Sequence, residues 1–236
     1  MIEADIVVDE SALPGNQGRI ALAVLGVTPH PVSRADLAAA MWDEDLPDRW
    51  EKSLSPILSK VRKAFDAAGA DGSAVLSSGG SVELRRDRML KVDVMEATRE
   101  LDAAEGAIRR GEPREAWRGA AVATAVFRRP FLPGADGAWI SEQRRKFHTN
   151  VVRAFEVIAD AWILLRDPAQ AVTAAETLIE LDMFRETGYA RLMRAQALAG
   201  NRAEALRTYT EARRVLVENL GVEPSARLQA VYDEIL

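Results

Sequence analysis

Residues 32–65 run Val32-Ser33-Arg34-Ala35-Asp36-Leu37-Ala38-Ala39-Ala40-Met41-Trp42, cross Asp43-Glu44-Asp45-Leu46-Pro47-Asp48-Arg49, and continue Trp50-Glu51-Lys52-Ser53-Leu54-Ser55-Pro56-Ile57-Leu58-Ser59-Lys60-Val61-Arg62-Lys63-Ala64-Phe65. Ser33 with Asp36 three positions later makes a capping-box-like start, so a helix is expected to end near Trp42 with Leu37 and Met41 inside. Asp48 with Glu51 repeats the starting signal, and Pro47 stops any continuation from upstream. Two capped amphipathic helices around an acidic turn are the consequence.

In the second helix, Trp50, Leu54, Ile57, Leu58, Val61 and Phe65 share one face when placed at about 100° per residue. Its opposite face carries Lys52, Ser55, Ser59 and Lys63, with Lys60 and Arg62 on the flanks. From Arg49 to Lys63 there are five basic residues and one acidic. A helix that is apolar inward and cationic outward suits a major groove, where Lys and Ser meet phosphates or base edges. The same pattern describes an ordinary solvated face. Pro56 removes one helical hydrogen bond. It predicts a kink at Ser55, or a fresh start with Ser55 as cap and Pro56 at the first helical position.

Upstream, Ile6-Val7-Val8 reads as a short strand and Leu13-Pro14-Gly15-Asn16 as a turn opening a helix. Ile20, Ala23, Val24 and Val27 recur at helical spacing, with Leu22 and Leu25 filling the other side, so this helix is expected to be buried almost all round. Downstream, Ala74-Val75-Leu76 and Val82-Glu83-Leu84 flank Ser77-Ser78-Gly79-Gly80-Ser81, a hairpin signal. Arg85, Arg86, Arg88 and Lys91 follow, either beside a nucleic-acid backbone or as solvated charges. These elements specify a winged helix-turn-helix (α+β) over residues 1–92.

From Asp93 the texture becomes Ala-rich and helical. Gly111-Glu112-Pro113-Arg114-Glu115-Ala116, Arg166-Asp167-Pro168-Ala169-Gln170-Ala171 and Gly200-Asn201-Arg202-Ala203-Glu204-Ala205 share a turn pattern. Each precedes small or apolar residues at 4,3 spacing: Ala116/Ala120/Ala123, Ala171/Ala175/Leu178 and Ala205/Tyr209/Ala212. The second and third copies lie 34 residues apart, the period of a tetratricopeptide repeat. The first two are separated by 55, the surplus falling around Arg129-Pro130-Phe131-Leu132-Pro133-Gly134-Ala135-Asp136-Gly137. The fold expected is therefore mainly α, the winged helix being followed over 93–236 by an all-α tetratricopeptide-like helical-repeat domain.

Composition narrows the function. Cysteine is absent from the 236 residues, which excludes disulfides, thiolate metal sites and a cysteine nucleophile. No stretch has the length of a membrane span and the start lacks a signal peptide's basic flank, so a cytoplasmic protein is expected. His30 and His148 are the only histidines and have no metal-spaced companions, so no metal or cofactor is expected. Gly15-Asn16-Gln17-Gly18 is not a phosphate loop, no serine sits in a nucleophile elbow, and Glu44-Asp45 reads as an exposed turn. No catalytic residue is assigned and no enzyme is expected. Trp42, Trp50 and Trp139 are expected to bury; Trp117 and Trp162 either pack or line a groove. Arg144-Arg145-Lys146 is the densest basic cluster. The net charge is −5, and residues 1–95 hold 11 basic and 15 acidic side chains, so any grip on phosphates must come from a local basic face.

Five segments in order carry a family resemblance: Leu13-Pro14-Gly15 with Gln17-Gly18-Arg19; Pro31-Val32-Ser33-Arg34 with Leu37 and Trp42; Leu58-Ser59-Lys60-Val61-Arg62-Lys63; Arg129-Pro130-Phe131-Leu132-Pro133-Gly134 with Trp139; and Leu220-Gly221-Val222-Glu223-Pro224-Ser225. The chain resembles regulators of the Streptomyces antibiotic regulatory protein type (SARP), a winged helix fused to a bacterial transcriptional activator domain (BTAD). That resemblance implies double-stranded promoter DNA as partner, often bound by a side-by-side dimer, and recruitment of RNA polymerase. By the resemblance, the helix from Arg49 to Phe65 is the recognition helix and Asp43, Glu44 and Asp45 belong to a polymerase-facing loop. The DNA-binding set is then Lys52, Ser55, Ser59, Lys60, Arg62, Lys63, Arg85 and Arg86. The hairpin tip departs from the family in having neither a basic residue nor an aromatic. The alternative is a protein-interaction scaffold, with a peptide or protein in the repeat groove and a winged helix of weak or no DNA binding.

Overall fold

The computed structural model describes residues 13–67, 69, 71–86 and 90–236. The expected strand at Ile6-Val7-Val8 and the cation Arg88 lie outside the described residues. Helix α1 (Gly15–Val27) opens on Pro14, whose ring is packed so tightly under the first turn that a Cβ on Gly18 would lie 2.3 Å from it. Ile20, Ala21, Val24 and Leu25 are buried and none of residues 17–28 is fully exposed, as the all-round apolar pattern requires. A two-residue strand β1 (Val32–Ser33) leads into α2 (Arg34–Trp42). The N-cap forms: Ser33 Oγ accepts from the Asp36 amide at 3.0 Å, and the Asp36 carboxylate accepts from the Ser33 hydroxyl at 2.6 Å rather than from the Ser33 amide of a full capping box.

Helix α3 (Trp50–Ala67) starts with the Trp50 amide donating to Pro47 C=O at 2.9 Å. It runs unbroken through Pro56, so the fresh start at Ser55 does not occur. The reason is burial: Leu54, Leu58 and Val61 on either side of the proline are no more than 1% exposed, and their packing holds the helix across the missing bond. Strands β2 (Val75–Ser78) and β3 (Ser81–Leu84) form the hairpin, turning on Gly79 and Gly80, both at positive φ as a two-residue turn demands. The sheet order is β1-β3-β2, antiparallel throughout, with Val32 opposite Val82 and Val75 opposite Leu84. β1 was not legible as a strand in the sequence because its two residues pair only with a partner about fifty positions away.

The remaining helices are α4 (Asp93–Arg110), α5 (Pro113–Phe127), α6 (Ala138–Leu164), α7 (Pro168–Leu181), α8 (Glu186–Leu198), α9 (Arg202–Leu220) and α10 (Ala226–Ile235). The three repeated turns close in one geometry. Gly111, Arg166 and Gly200 take positive φ, and the amides of Glu112, Asp167 and Asn201 reach back to the carbonyls of Ala107, Trp162 and Gln196 at 2.9 to 3.0 Å. That is a Schellman stop, and the next helix begins at once. Every position of the 4,3 spacing points inward, Tyr209 being half-buried and the other eight buried. Small residues allow close helix approach: a Cβ on Gly119 would lie 2.7 Å from the Glu100 carbonyl oxygen. Helix α8 packs against α7, α9 and α10.

The chain forms two compact units, one of the described residues up to Met95 with Pro130–Lys146, the other of Glu96–Arg129 with Phe147–Leu236. A cut between residues 92 and 93 follows chain order but not packing. Ala135 and Ile140 are buried in the same core as Leu25, Leu37, Leu54 and Val82, with Phe131, Leu132 and Trp139 against it. The apolar segment after α5 thus completes the winged-helix core.

Candidate nucleic-acid interface

The inner stripe of α3 fixes its outer face. With Leu54, Leu58 and Val61 in the core and Trp50, Ile57 and Phe65 packed against it, Lys52, Ser55, Ser59, Lys60 and Lys63 all stand exposed. The structure brings these five together on one ridge. Ser55 is held there: its Oγ donates to the Glu51 carbonyl at 3.4 Å and accepts from Arg34 Nη2 at 2.9 Å.

Arg62, Arg85 and Arg86 are placed differently. Arg62 is half-buried; Nε donates to Val75 C=O at 2.8 Å and Nη2 to Ser77 Oγ at 2.7 Å, tying α3 to the hairpin. Arg85 is exposed, its amide donating to Ala74 C=O at 2.7 Å. Arg86 is turned toward the end of α1. Its Nη2 donates to the carbonyls of Leu25, Gly26 and Thr28 at 2.8, 2.9 and 2.6 Å, the orphan acceptors at the end of α1, while Nε is buried without a partner. Burial pulls this guanidinium below its ordinary pKa. The neighbourhood of basic residues suggested a surface cation; the unmet carbonyls sixty residues away decide otherwise.

The same device recurs at Arg144, which donates to the carbonyls of Phe131, Leu132 and Ala135 at 3.1, 2.9 and 2.8 Å. Lys146 pairs with Glu142 at 2.6 Å, so the densest basic cluster serves its own segment in at least two of three members. Trp42, Trp50 and Trp139 pack against the core as expected. Trp117 and Trp162 form a tilted pair with centroids 5.6 Å apart, Trp117 remaining 40% exposed.

In the acidic turn, Asp43 adopts φ 50° and its Oδ2 accepts from the Ala138 amide at 2.9 Å, capping α6. Glu44 and Asp45 are exposed and, with Asn16, Gln17, Trp42 and Asp136, line a polar recess of about 400 Å³. No cluster of three or more His, Cys, Asp or Glu side chains able to hold a metal occurs among the described residues. Sequence reasoning missed Arg34. The available signal was a cation at the first position of a helix, where the macrodipole disfavours it and a tertiary partner is needed to explain it.

Comparison with known proteins agrees with this architecture. Residues 92–236 match the family described as bacterial transcriptional activator domain. The regulatory protein AfsR of Streptomyces coelicolor is 27% identical over 201 residues, covering 85% of this chain and 20% of AfsR. The transcriptional regulatory protein EmbR of Mycobacterium tuberculosis is 24% identical over 227 residues, 96% of this chain and 58% of EmbR. The transcriptional regulator RedD of S. coelicolor is 28% identical over 209 residues, 87% of this chain and 59% of RedD. This chain thus spans about a fifth of the AfsR length and less than two thirds of EmbR and RedD. A solved structure of M. tuberculosis EmbR, in complex with a low-affinity phosphopeptide, superposes with a TM-score of 0.86 at 24% identity over 93% of this chain and 59% of that one, and shares its fold. The expected winged helix followed by helical repeats is upheld, and the chain belongs to the bacterial transcriptional activator domain family.

Proposed function

We propose that the chain is a transcriptional regulator that reads double-stranded promoter DNA through the outer face of α3. One observation carries the reading: Lys52, Ser55, Ser59, Lys60 and Lys63 stand exposed together on a helix whose other side is locked into the core. Three ammonium groups and two hydroxyls on one ridge supply phosphate attraction and base-edge hydrogen bonding. Arg85 adds charge beyond the hairpin. Arg62 and Arg86 contribute by holding the hairpin and α1 in place. The Asp43-Glu44-Asp45 turn is assigned to RNA polymerase contact, and the helical repeats to dimerisation or to binding a regulator. The protein acts without catalysis in the cytoplasm; among the described residues no helix is long and apolar enough to cross a membrane.

The test is retention of duplexes selected from a random DNA library, measured against salt. Wild-type binding should weaken steeply as salt rises, and the double substitution Lys52→Glu, Lys63→Glu should abolish it while leaving the melting temperature in place. Undiminished binding by the double variant would remove this face. The inward turn of Arg62 and Arg86 favours a second reading, a scaffold with little DNA affinity. Failure of any duplex to enrich, together with co-purification of a protein partner, would establish it.

A further inference from the structure

The hairpin turn Ser77-Ser78-Gly79-Gly80-Ser81 has no charged side chain, yet an arginine is tied to it through its main chain. Arg34, the first residue of α2, donates its amide to the Gly80 carbonyl at 3.0 Å and its Nη2 to Ser55 Oγ at 2.9 Å. One residue thus touches the wing turn with its main chain and the outer ridge of α3 with its side chain. Among the described residues no carboxylate pairs with this guanidinium, and its Nε and Nη1 donate to nothing. A half-exposed guanidinium with donors to spare, held on the α3 ridge by a residue whose main chain is tied to the hairpin turn, suits an anion that presents two or more oxygens, as a phosphodiester does.

We propose that Arg34 is a phosphate-binding residue of the DNA interface, gripping the duplex backbone where it passes between the hairpin turn and α3. Ser55 holds the guanidinium in position while the protein is free. When DNA arrives, the unused N–H groups meet a phosphate oxygen, and the Ser55 hydroxyl is available to the same group. The cation that the wing tip lacks is supplied from the start of α2. This assignment rests on the reading that α3 faces DNA.

The experiment uses the full chain and a fluorescein-labelled duplex from the pool enriched by selection, with anisotropy titrations over a range of KCl concentrations. Arg34→Gln should weaken binding about tenfold and reduce the slope of log K against log salt by about 0.9, the signature of one lost phosphate contact. Arg34→Lys should keep the slope, because it keeps the charge, and Ser55→Ala should keep it too. A merely structural role would lower affinity without moving the slope. An unchanged slope in Arg34→Gln therefore overturns the proposal, whatever happens to affinity. If Lys52→Glu, Lys63→Glu abolishes binding while the Arg34→Gln slope stays at wild type, this inference alone falls. Should the wild-type chain show no salt-dependent binding, the reading of α3 falls with it.

Discussion

Arg62 donates to the Ser77 hydroxyl at 2.7 Å while its Nε holds the Val75 carbonyl at 2.8 Å, so one guanidinium on α3 fixes the angle of the hairpin strand. Replacing it with Met keeps the aliphatic stem and removes both bonds. Arg62→Met is expected to lower unfolding free energy by about 1–3 kcal/mol, read by urea denaturation. It should weaken DNA binding without changing the salt slope, because a misplaced hairpin releases no extra counterions. A slope reduced by about 0.9 would show that Arg62 reaches a phosphate instead.

Pro56 lies inside α3 and cannot donate to the Lys52 carbonyl, one turn back. Its side chain is exposed, so little packing is lost on its removal. Pro56→Ala is expected to raise stability by about 2 kcal/mol, the regained helical bond outweighing the greater freedom of the unfolded chain. A rise in melting temperature checks this; a fall would mean that the ring is making a contact the helix needs.

In the repeat unit, Glu156 is pushed up by burial, but the Thr187 hydroxyl, the Arg185 guanidinium and the nearby charge of Arg191 outweigh that and hold it below the usual carboxylate range. Arg185 Nε lies 2.9 Å and Arg191 Nη1 3.8 Å from Oε1. Because the folded value is the lower one, the associated stability is present above the unfolded value of about 4.3 and lost as pH falls through the folded pKa. Glu156→Gln should therefore cost about 1–3 kcal/mol at neutral pH, with the gap to wild type closing in acid. Equal melting at pH 7, or a gap that widens as the pH falls, would count against the network.

Local signals in the sequence carried much of this structure. Ser33 and Asp36 announce α2 because a cap is decided within four residues. The inner stripe of α3 and the three Schellman turns were equally readable, since periodicity and a left-handed stop need no distant partner. Long arginines were not. Arg62, Arg86 and Arg144 all look like surface charge in one dimension, and only the folded chain reveals which carbonyls want donors. Lys52 and Lys63 stand exposed, as the apolar stripe on the other side of their helix requires. Asp43 was legible as part of an acidic turn but not as the cap of α6, whose first amide lies 95 positions away.

Ile140 is wholly inaccessible, and Ala135 nearly so, in a core whose other buried members all precede Arg85. The winged-helix unit therefore cannot be excised by stopping translation after the hairpin: such a fragment would bare an apolar socket where Ile140 belongs. A faithful minimal version of that unit has to carry the α4–α5 excursion, or have Pro130–Lys146 spliced directly after the hairpin.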